Sequence, residues 1–299
     1  MKILVTGGTG FIGRHLIREL HNRDHEVTAL ARNPDEADFP EGVERTMGDV
    51  TALASIESAF ENQDAVVNLV ALSPLFKPPR GATHMSVHLG GTQNIVQAAE
   101  EHGVGKIVQM SALGASPTGP TEYIRAKGQA EELVKNSDLR WTIFRPSVVF
   151  GDGSEFLSFT KKLTPPYLAP LPGGGKTRFQ PIWIGDLVPM LADGVDEFHD
   201  GEIYELGGPE VLTLADVAKL VRQAEGQPVT VVPVPMALAG AGLKIGGAIP
   251  GVPMGGDQYR SLRFDNTVRE NEVAVFGVEP DSLTTLAEYL GVEAMRNDR

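Results

Sequence analysis

Two groups of residues in this chain have types and spacing that could do chemistry. The first is a glycine series near the start, Gly7, Gly10 and Gly13, within Thr6-Gly7-Gly8-Thr9-Gly10-Phe11-Ile12-Gly13. A short apolar run, Lys2-Ile3-Leu4-Val5, precedes it, and residues 14–20 follow with apolar positions at helical spacing. A strand, a glycine turn and a helix in that order make a cradle for a pyrophosphate. Gly7 permits the tight turn, Gly10 lets backbone approach the phosphates, and Gly13 lets the helix pack against the strand. Amides at the helix start, with the positive end of its dipole, then hold the anion. The second group is Tyr123 and Lys127, four residues apart on a helix expected to run to about residue 135. At that spacing the phenol and the ammonium share one helical face. Ser111 follows Lys-Ile-Val-Gln-Met, which reads as a buried strand, and so sits at a strand's carboxyl end, where ligands bind in open α/β sheets.

The choice of dinucleotide is read from the second strand, residues 27–31, about twenty residues beyond Gly13. An NAD site would place an Asp or Glu at this strand's end for the ribose 2'-hydroxyl. This chain has Ala31 and then Arg32. A guanidinium suits a 2'-phosphate, which it can meet with paired donors, and Arg14 could assist. NADP is therefore favoured over NAD. Asp49, after Gly48, could accept a hydrogen bond from the adenine amino group, with Val50 beside it. Phe11 and Ile12 lie within the glycine turn. Val70 and Ala71 end the apolar run 65–71, and Pro146 ends the run 141–146. All of these belong to the expected cofactor set.

The elements needed to position these groups can be traced in order. Apolar runs at 2–5, 27–31, 65–71, 106–110 and 141–146 read as strands. Helical spacing occupies 14–20, 52–60, 87–102 and 123–135, so strands and helices alternate as in a doubly wound parallel sheet. The run 65–71 is apolar throughout except for Asn68, as expected for a strand covered on both faces. Beyond about residue 152, prolines and glycines cluster at 164–175 and strands shorten. Residues 179–184 read as a strand, 186–194 as a helix, 203–206 as a strand returning to the sheet, and 229–234 as a short β segment. Thr213 would cap a helix over 214–224, and Ser282 one over 283–290. The organisation expected is a nucleotide-binding core over 1–152 and a smaller α+β substrate lobe over 153–299. Segments around 179–206 return to the core, and the lobe would close over the cofactor end of the sheet.

Composition narrows the partners. The formal charge of -13 argues against nucleic acid, whose phosphates would be repelled. With no cysteine in 299 residues, disulfides, thiolate catalysis and cysteine-based zinc sites are excluded. The weakly polar stretch 233–256 contains Lys244, several prolines and many glycines, unlike a spanning helix. The opening run is too short for a signal peptide. A cytoplasmic protein, monomeric or homodimeric, is expected. Gly173-Gly174-Gly175-Lys176-Thr177 ends like a phosphate-binding loop but has Pro170 where the motif needs glycine, and it reads as a turn. His84 and His88, like His21 and His25, have helical metal-ligand spacing without a third ligand nearby, and no metal is expected.

The glycine turn, Ser111, Tyr123-x-x-x-Lys127 and Arg145-Pro146-Ser147-Val148-Val149-Phe150-Gly151 occur in an order that resembles the extended short-chain dehydrogenase/reductase superfamily, of NAD(P)-dependent epimerase/dehydratase type. Pro181-Ile182-Trp183-Ile184-Gly185-Asp186-Leu187 and Ile203-Tyr204-Glu205-Leu206-Gly207-Gly208-Pro209 look like the subgroup around the NADPH-binding accessory subunit of respiratory complex I. The resemblance spans nearly the whole chain and implies an α/β Rossmann-type fold. It implies Tyr123 as general acid/base, Lys127 as its partner and ribose contact, and Ser111 as donor to a substrate oxygen. A free tyrosine titrates near about pH 10. A neighbouring ammonium and a positive nicotinamide would favour phenolate and lower that value. Two positions depart from the family pattern. His88 stands where Asn is usual, and Ala112-Leu113-Gly114 follows Ser111 in place of a second serine and aromatic turn. Three functions follow from the resemblance. One is an NADP-favouring oxidoreductase or epimerase acting on a small carbonyl or alcohol. The others are a non-catalytic NADPH-binding accessory or assembly protein of a respiratory complex, and an NADPH-sensing regulator.

Overall fold

Ile3, Leu4 and Val5 of β1 (Lys2–Thr6) are fully buried, as are all residues of β4 (Ala65–Asn68) and β5 (Lys106–Met110). Strands apolar on both faces need cover on both faces, which helices of a parallel α/β sheet provide. The computed structural model describes residues 1–76, 78–235 and 260–294. In chain order β1 leads to α1 (Phe11–Asn22), β2 (Glu26–Ala31), β3 (Glu44–Met47), β4, α2 (Gly91–Glu101), β5, α3 (Glu122–Lys135) and β6 (Arg140–Pro146). There follow β7 (Val149–Phe150), α4 (Glu155–Leu163), β8 (Tyr167–Pro172), β9 (Arg178–Phe179) and β10 (Ile182–Trp183). Then come α5 (Ile184–Asp193), β11 (Glu202–Leu206), β12 (Leu212–Thr213), α6 (Leu214–Ala224) and β13 (Val229–Val234).

Seven strands form the main sheet in the order β11-β6-β5-β4-β1-β2-β3, and the pairings from β6 through to β3 are parallel. The strand order reverses between β1 and β4. In open α/β sheets that reversal, at the carboxyl ends of the strands, is where ligands bind. Leu4, Ile56, Phe60, Val66, Ile95 and Ile107 pack in one of the cores beside this sheet. The chain divides into two compact units, the first formed by residues 1–72, 78–145 and 184–205, the second by the rest. Within the second, β8 pairs in parallel with β13 and β9 pairs antiparallel with β12, around a core that includes Phe150, Phe156, Val217 and Leu220.

Several elements differ from the sequence expectation for identifiable reasons. The strand at 65–71 stops at Asn68 because the Asn68 side chain accepts the Val70 N–H at 3.2 Å, turning the chain. Asn68 also accepts from the Thr6 hydroxyl at 2.9 Å and donates to Gln109 Oε1 at 2.9 Å, so it ties β1, β4 and β5 together at their carboxyl ends. Residues 52–60 form two 3-10 turns, Leu53–Ser55 and Glu57–Phe60, in place of an α-helix. There Ser55 Oγ bonds back to the carbonyls of Asp49 and Ala52, at 2.9 and 2.8 Å, in competition with helix geometry. The helix expected over 87–102 is a π-helical turn, Met85–Gly90, followed by α2.

The segment 179–184 is interrupted at Pro181, leaving β9 and β10. The proline-rich stretch 164–175 contains β8, whose strand signal in the sequence is broken by Pro170 and Pro172. The last described helix is Leu286–Leu290, capped by Thr285 with Glu288 in a reciprocal box, so Ser282 is not its cap. Thr213 does cap α6, in the same kind of box with Asp216. Gly173, Gly174 and Gly175 all have positive φ and close consecutive turns onto Leu171 and Pro172. Residues 236–256 of the weakly polar stretch 233–256 lie outside the described residues. Among the described residues no helix is long and apolar enough to cross a membrane.

Candidate nucleotide and proton-transfer site

Gly7 leaves β1 with φ +77°, a left-handed conformation that a side chain would strain. A Cβ there would also sit 3.1 Å from the backbone of Leu69 and Val70, so the turn lies directly against the end of β4, at the strand-order reversal. The amides of Gly7 and Gly8 both donate to the Leu30 carbonyl, at 2.9 and 3.2 Å, which fixes the turn to β2. Gly13 is constrained by space. A Cβ on it would lie 2.4 Å from the Gly7 carbonyl oxygen and 2.7 Å from that of Gly8. Backbone cannot yield as a side chain does, so Gly13→Ala should cost about 1–3 kcal/mol of stability. It should also push α1 off the turn and weaken dinucleotide binding; urea unfolding and dinucleotide titration of the variant read both effects.

α1 begins at Gly10 with no side-chain cap and no acidic residue in its first turn. Helices usually satisfy their first amides with such groups, and a start without them suits an external anion. Arg14 follows immediately, and its Nε is buried without a hydrogen-bond partner. Arg32, after β2, is exposed and makes no ion pair among the described residues, and its charge helps hold the Asp49 carboxyl below its usual range. The larger cause of that shift is the Thr51 amide, which donates to Asp49 Oδ1 at 2.9 Å. Val50 is buried, and its carbonyl accepts from Asn94 Nδ2 at 2.7 Å. Phe11, Ile12 and Val70 are part-buried and Ala71 is exposed. Pro146 closes β6 and is buried in the second unit.

Tyr123 and Lys127 lie in the first two turns of α3, whose start is capped by Thr121 Oγ1 accepting the Ile124 amide at 3.2 Å. Lys127 is 2 % exposed, and its Nζ donates to the Met110 carbonyl at 2.7 Å, at the carboxyl end of β5. Burial lowers Lys127 to about 8, against the opposing attraction of Glu131. Tyr123 is only partly exposed, and burial pushes its phenol well above its ordinary value. The expected lowering of that value is therefore not a property of these surroundings: desolvation of phenolate dominates them.

Ser111 differs from expectation in its partner. Its hydroxyl donates to Glu131 on α3, whose carboxylate Arg145 grips at both oxygens, at 2.9 and 2.6 Å. Glu205 accepts from the other side of that guanidinium at 3.3 Å. The serine's hydroxyl proton is thus directed to a buried carboxylate in this structure.

The surroundings of Tyr123 were not legible as a site from spacing alone. The π-helical turn brings His84 and His88 into a stack with centroids 5.5 Å apart and planes within 14°. Both rings meet Tyr123 edge-on, at 5.4 and 5.3 Å. His88 is 2 % exposed, its Nε2 accepts the Leu72 amide at 3.4 Å, and burial together with the charge of Lys127 lowers it to about 2. It is a neutral imidazole throughout the physiological range. The i, i+4 histidine spacing was the available signal. In the structure it serves packing against the phenol, and no group of three or more metal-ligating side chains occurs among the described residues.

Residues 7–164, just over half of the chain, match the model of the NAD(P)H-binding family. The chain belongs to this family. Its relatives are diverse. Over 231 residues the chain is 29% identical to the mitochondrial NADH dehydrogenase (ubiquinone) 1 alpha subcomplex subunit 9 of Arabidopsis thaliana, covering 73% of this chain but 56% of that protein. It is 27% identical to the NAD(P)H azoreductase of Xenophilus azovorans, over 76% of this chain and 75% of the relative. Among solved structures, the UDP-glucose 4-epimerase of Thermus thermophilus in complex with NAD superposes with a TM-score of 0.71 at 21% identity, over 97% and 96% of the two chains. The fold is that of the extended short-chain dehydrogenases/reductases. The family's nucleotide fits the residues present: the glycine cradle excludes side chains, the first amides of α1 are uncapped, and Arg14 has a buried unpartnered donor.

Proposed function

We propose that the protein is an NADPH-dependent reductase of small carbonyl compounds, with Tyr123 as proton donor. The observation that carries this reading is the partly buried phenol on the same helical face as Lys127, whose Nζ donates to the Met110 carbonyl at the carboxyl end of β5. When bound, the reduced nicotinamide supplies a hydride to the carbonyl carbon. Tyr123 gives its phenolic proton to the carbonyl oxygen as negative charge develops there. An alkoxide-like oxygen is far more basic than a phenolate, so the transfer is downhill even from a phenol raised by burial. Lys127 as ammonium stabilises the phenolate left behind, which solvent reprotonates. Oxidation or epimerisation would require phenolate at rest, and burial opposes it. Reduction is therefore the favoured direction. Ser111 is assigned to holding Glu131.

The preference for the 2'-phosphorylated nucleotide rests on Arg32, exposed and without an ion pair among the described residues. Arg32→Asp should remove about ten- to a hundredfold of NADPH affinity, the usual worth of hydrogen bonds to a charged group, while sparing NADH. Equal dissociation constants of NADPH and NADH for the wild type would contradict the assignment. Purified protein should oxidise NADPH in the presence of at least one member of a panel of aldehydes and ketones. A second reading follows from the likeness to the plant complex I subunit: a nucleotide-binding accessory protein that does not turn over. It predicts co-purification with membrane-complex subunits and bound nucleotide that no carbonyl compound oxidises.

A further inference from the structure

Glu131 is a 2 % exposed carboxylate that the proton transfer itself does not use. It lies one turn beyond Lys127 on α3, on the same face, and attraction between the two opposes the effect of burial on the lysine. Three hydrogen bonds fix its position: both oxygens are held by Arg145 and one also accepts the Ser111 hydroxyl. Ser111 directly follows Met110, whose carbonyl receives Lys127 Nζ, so the lysine and the carboxylate are anchored to adjacent residues of one strand end. The charges balance, with Lys127 and Arg145 against Glu131 and Glu205. A neutral Lys127 would leave that group, buried at Glu131 and half-buried at Arg145 and Glu205, with a net negative charge, which partial desolvation disfavours.

We propose that Glu131 is a positioning residue of the reductase site: clamped by Arg145 and Ser111, it is the fixed counter-charge that keeps the buried Lys127, one turn along α3 from Tyr123, an ammonium. The proposal rests on the reductase reading for its consequence in turnover, but not for the charge relation. The other groups around Lys127 cannot do this. His88 on the π-helical turn stays neutral, β5 presents a backbone carbonyl, and Glu100 and Glu101 of α2 are exposed at its far end. Tyr123 on α3 itself is protonated.

The test is titration of Lys127 by NMR in full-length protein carrying 13C-labelled lysine, with Lys127→Arg identifying its signal among the ten lysines. Wild-type Lys127 should titrate near about 8. Glu131→Gln keeps the shape and the acceptor for Ser111, and should move that midpoint down by about one unit or more. Arg145→Gln removes a competing cation and should move it up. Loss of packing would not produce shifts of opposite sign, so the pair separates a charge role from a structural one; if either variant fails to fold, the other still decides. An unmoved midpoint in a folded variant, or shifts of the same sign in both, would overturn the proposal. In turnover, Glu131→Gln should lose about fivefold or more in kcat/KM at pH 8, as the ammonium fraction of Lys127 falls, with the loss smaller at pH 6. Opposite shifts without any NADPH oxidation would uphold the role of Glu131 and reject the reductase reading; turnover without the shifts would do the reverse.

Discussion

Replacing Tyr123 by phenylalanine should lower kcat for carbonyl reduction by about 10²- to 10⁴-fold, the span contributed by a positioned proton donor. The ring of phenylalanine preserves the edge-on packing against His84 and His88, at 5.4 and 5.3 Å in the wild type, so the helix start and its Thr121 cap stay in place. Affinity for NADPH should be unchanged, because the glycine turn, Arg14 and Arg32 are untouched. The effect therefore falls on kcat and not on nucleotide binding. Steady-state kinetics alongside fluorescence titration of NADPH separate the two. A variant with undiminished kcat would remove Tyr123 from the chemistry.

Acidification should destabilise the protein through His88. Its folded-state value lies at about 2, below the ordinary histidine value of 6.5. Between those limits the unfolded chain binds a proton on this residue that the folded chain does not, so stability is full above the unfolded value and falls as pH drops through it. At pH 5 the loss from this one residue amounts to about 2 kcal/mol, from one and a half units at about 1.4 kcal/mol each. His88→Asn removes the titrating group, so that loss should vanish from the difference in urea-unfolding free energy between pH 7 and pH 5. Equal pH dependence in variant and wild type would show that His88 is not held neutral by the fold.

The nucleotide-binding half was legible because its signals are local. Gly7 and Gly13 are demanded by backbone geometry within a single turn, and a strand buried on both faces, such as 2–6 with Ile3, Leu4 and Val5, carries a run of consecutive apolar residues. Asn68 looked like an interruption of an apolar strand; it is a tie between three strands, a relation that depends on tertiary pairing with Thr6 and Gln109. The proton-transfer region was legible in its residue types but not in their electrostatics. Tyr123 and Lys127 follow from i, i+4 spacing, whereas the burial that raises one and lowers the other depends on a π-helical turn with no sequence rule to reveal it. Ser111 shows the same limit. Its place at a strand end was readable, but the carboxylate that accepts its hydrogen bond is twenty residues away on α3.

The most direct test of the account is single-turnover oxidation of protein-bound NADPH on mixing with a panel of small aldehydes and ketones. The account predicts a fast phase with at least one compound, abolished in Tyr123→Phe although that variant binds NADPH as tightly as the wild type. Bound NADPH left intact by every compound, or a fast phase that survives in Tyr123→Phe, would contradict it.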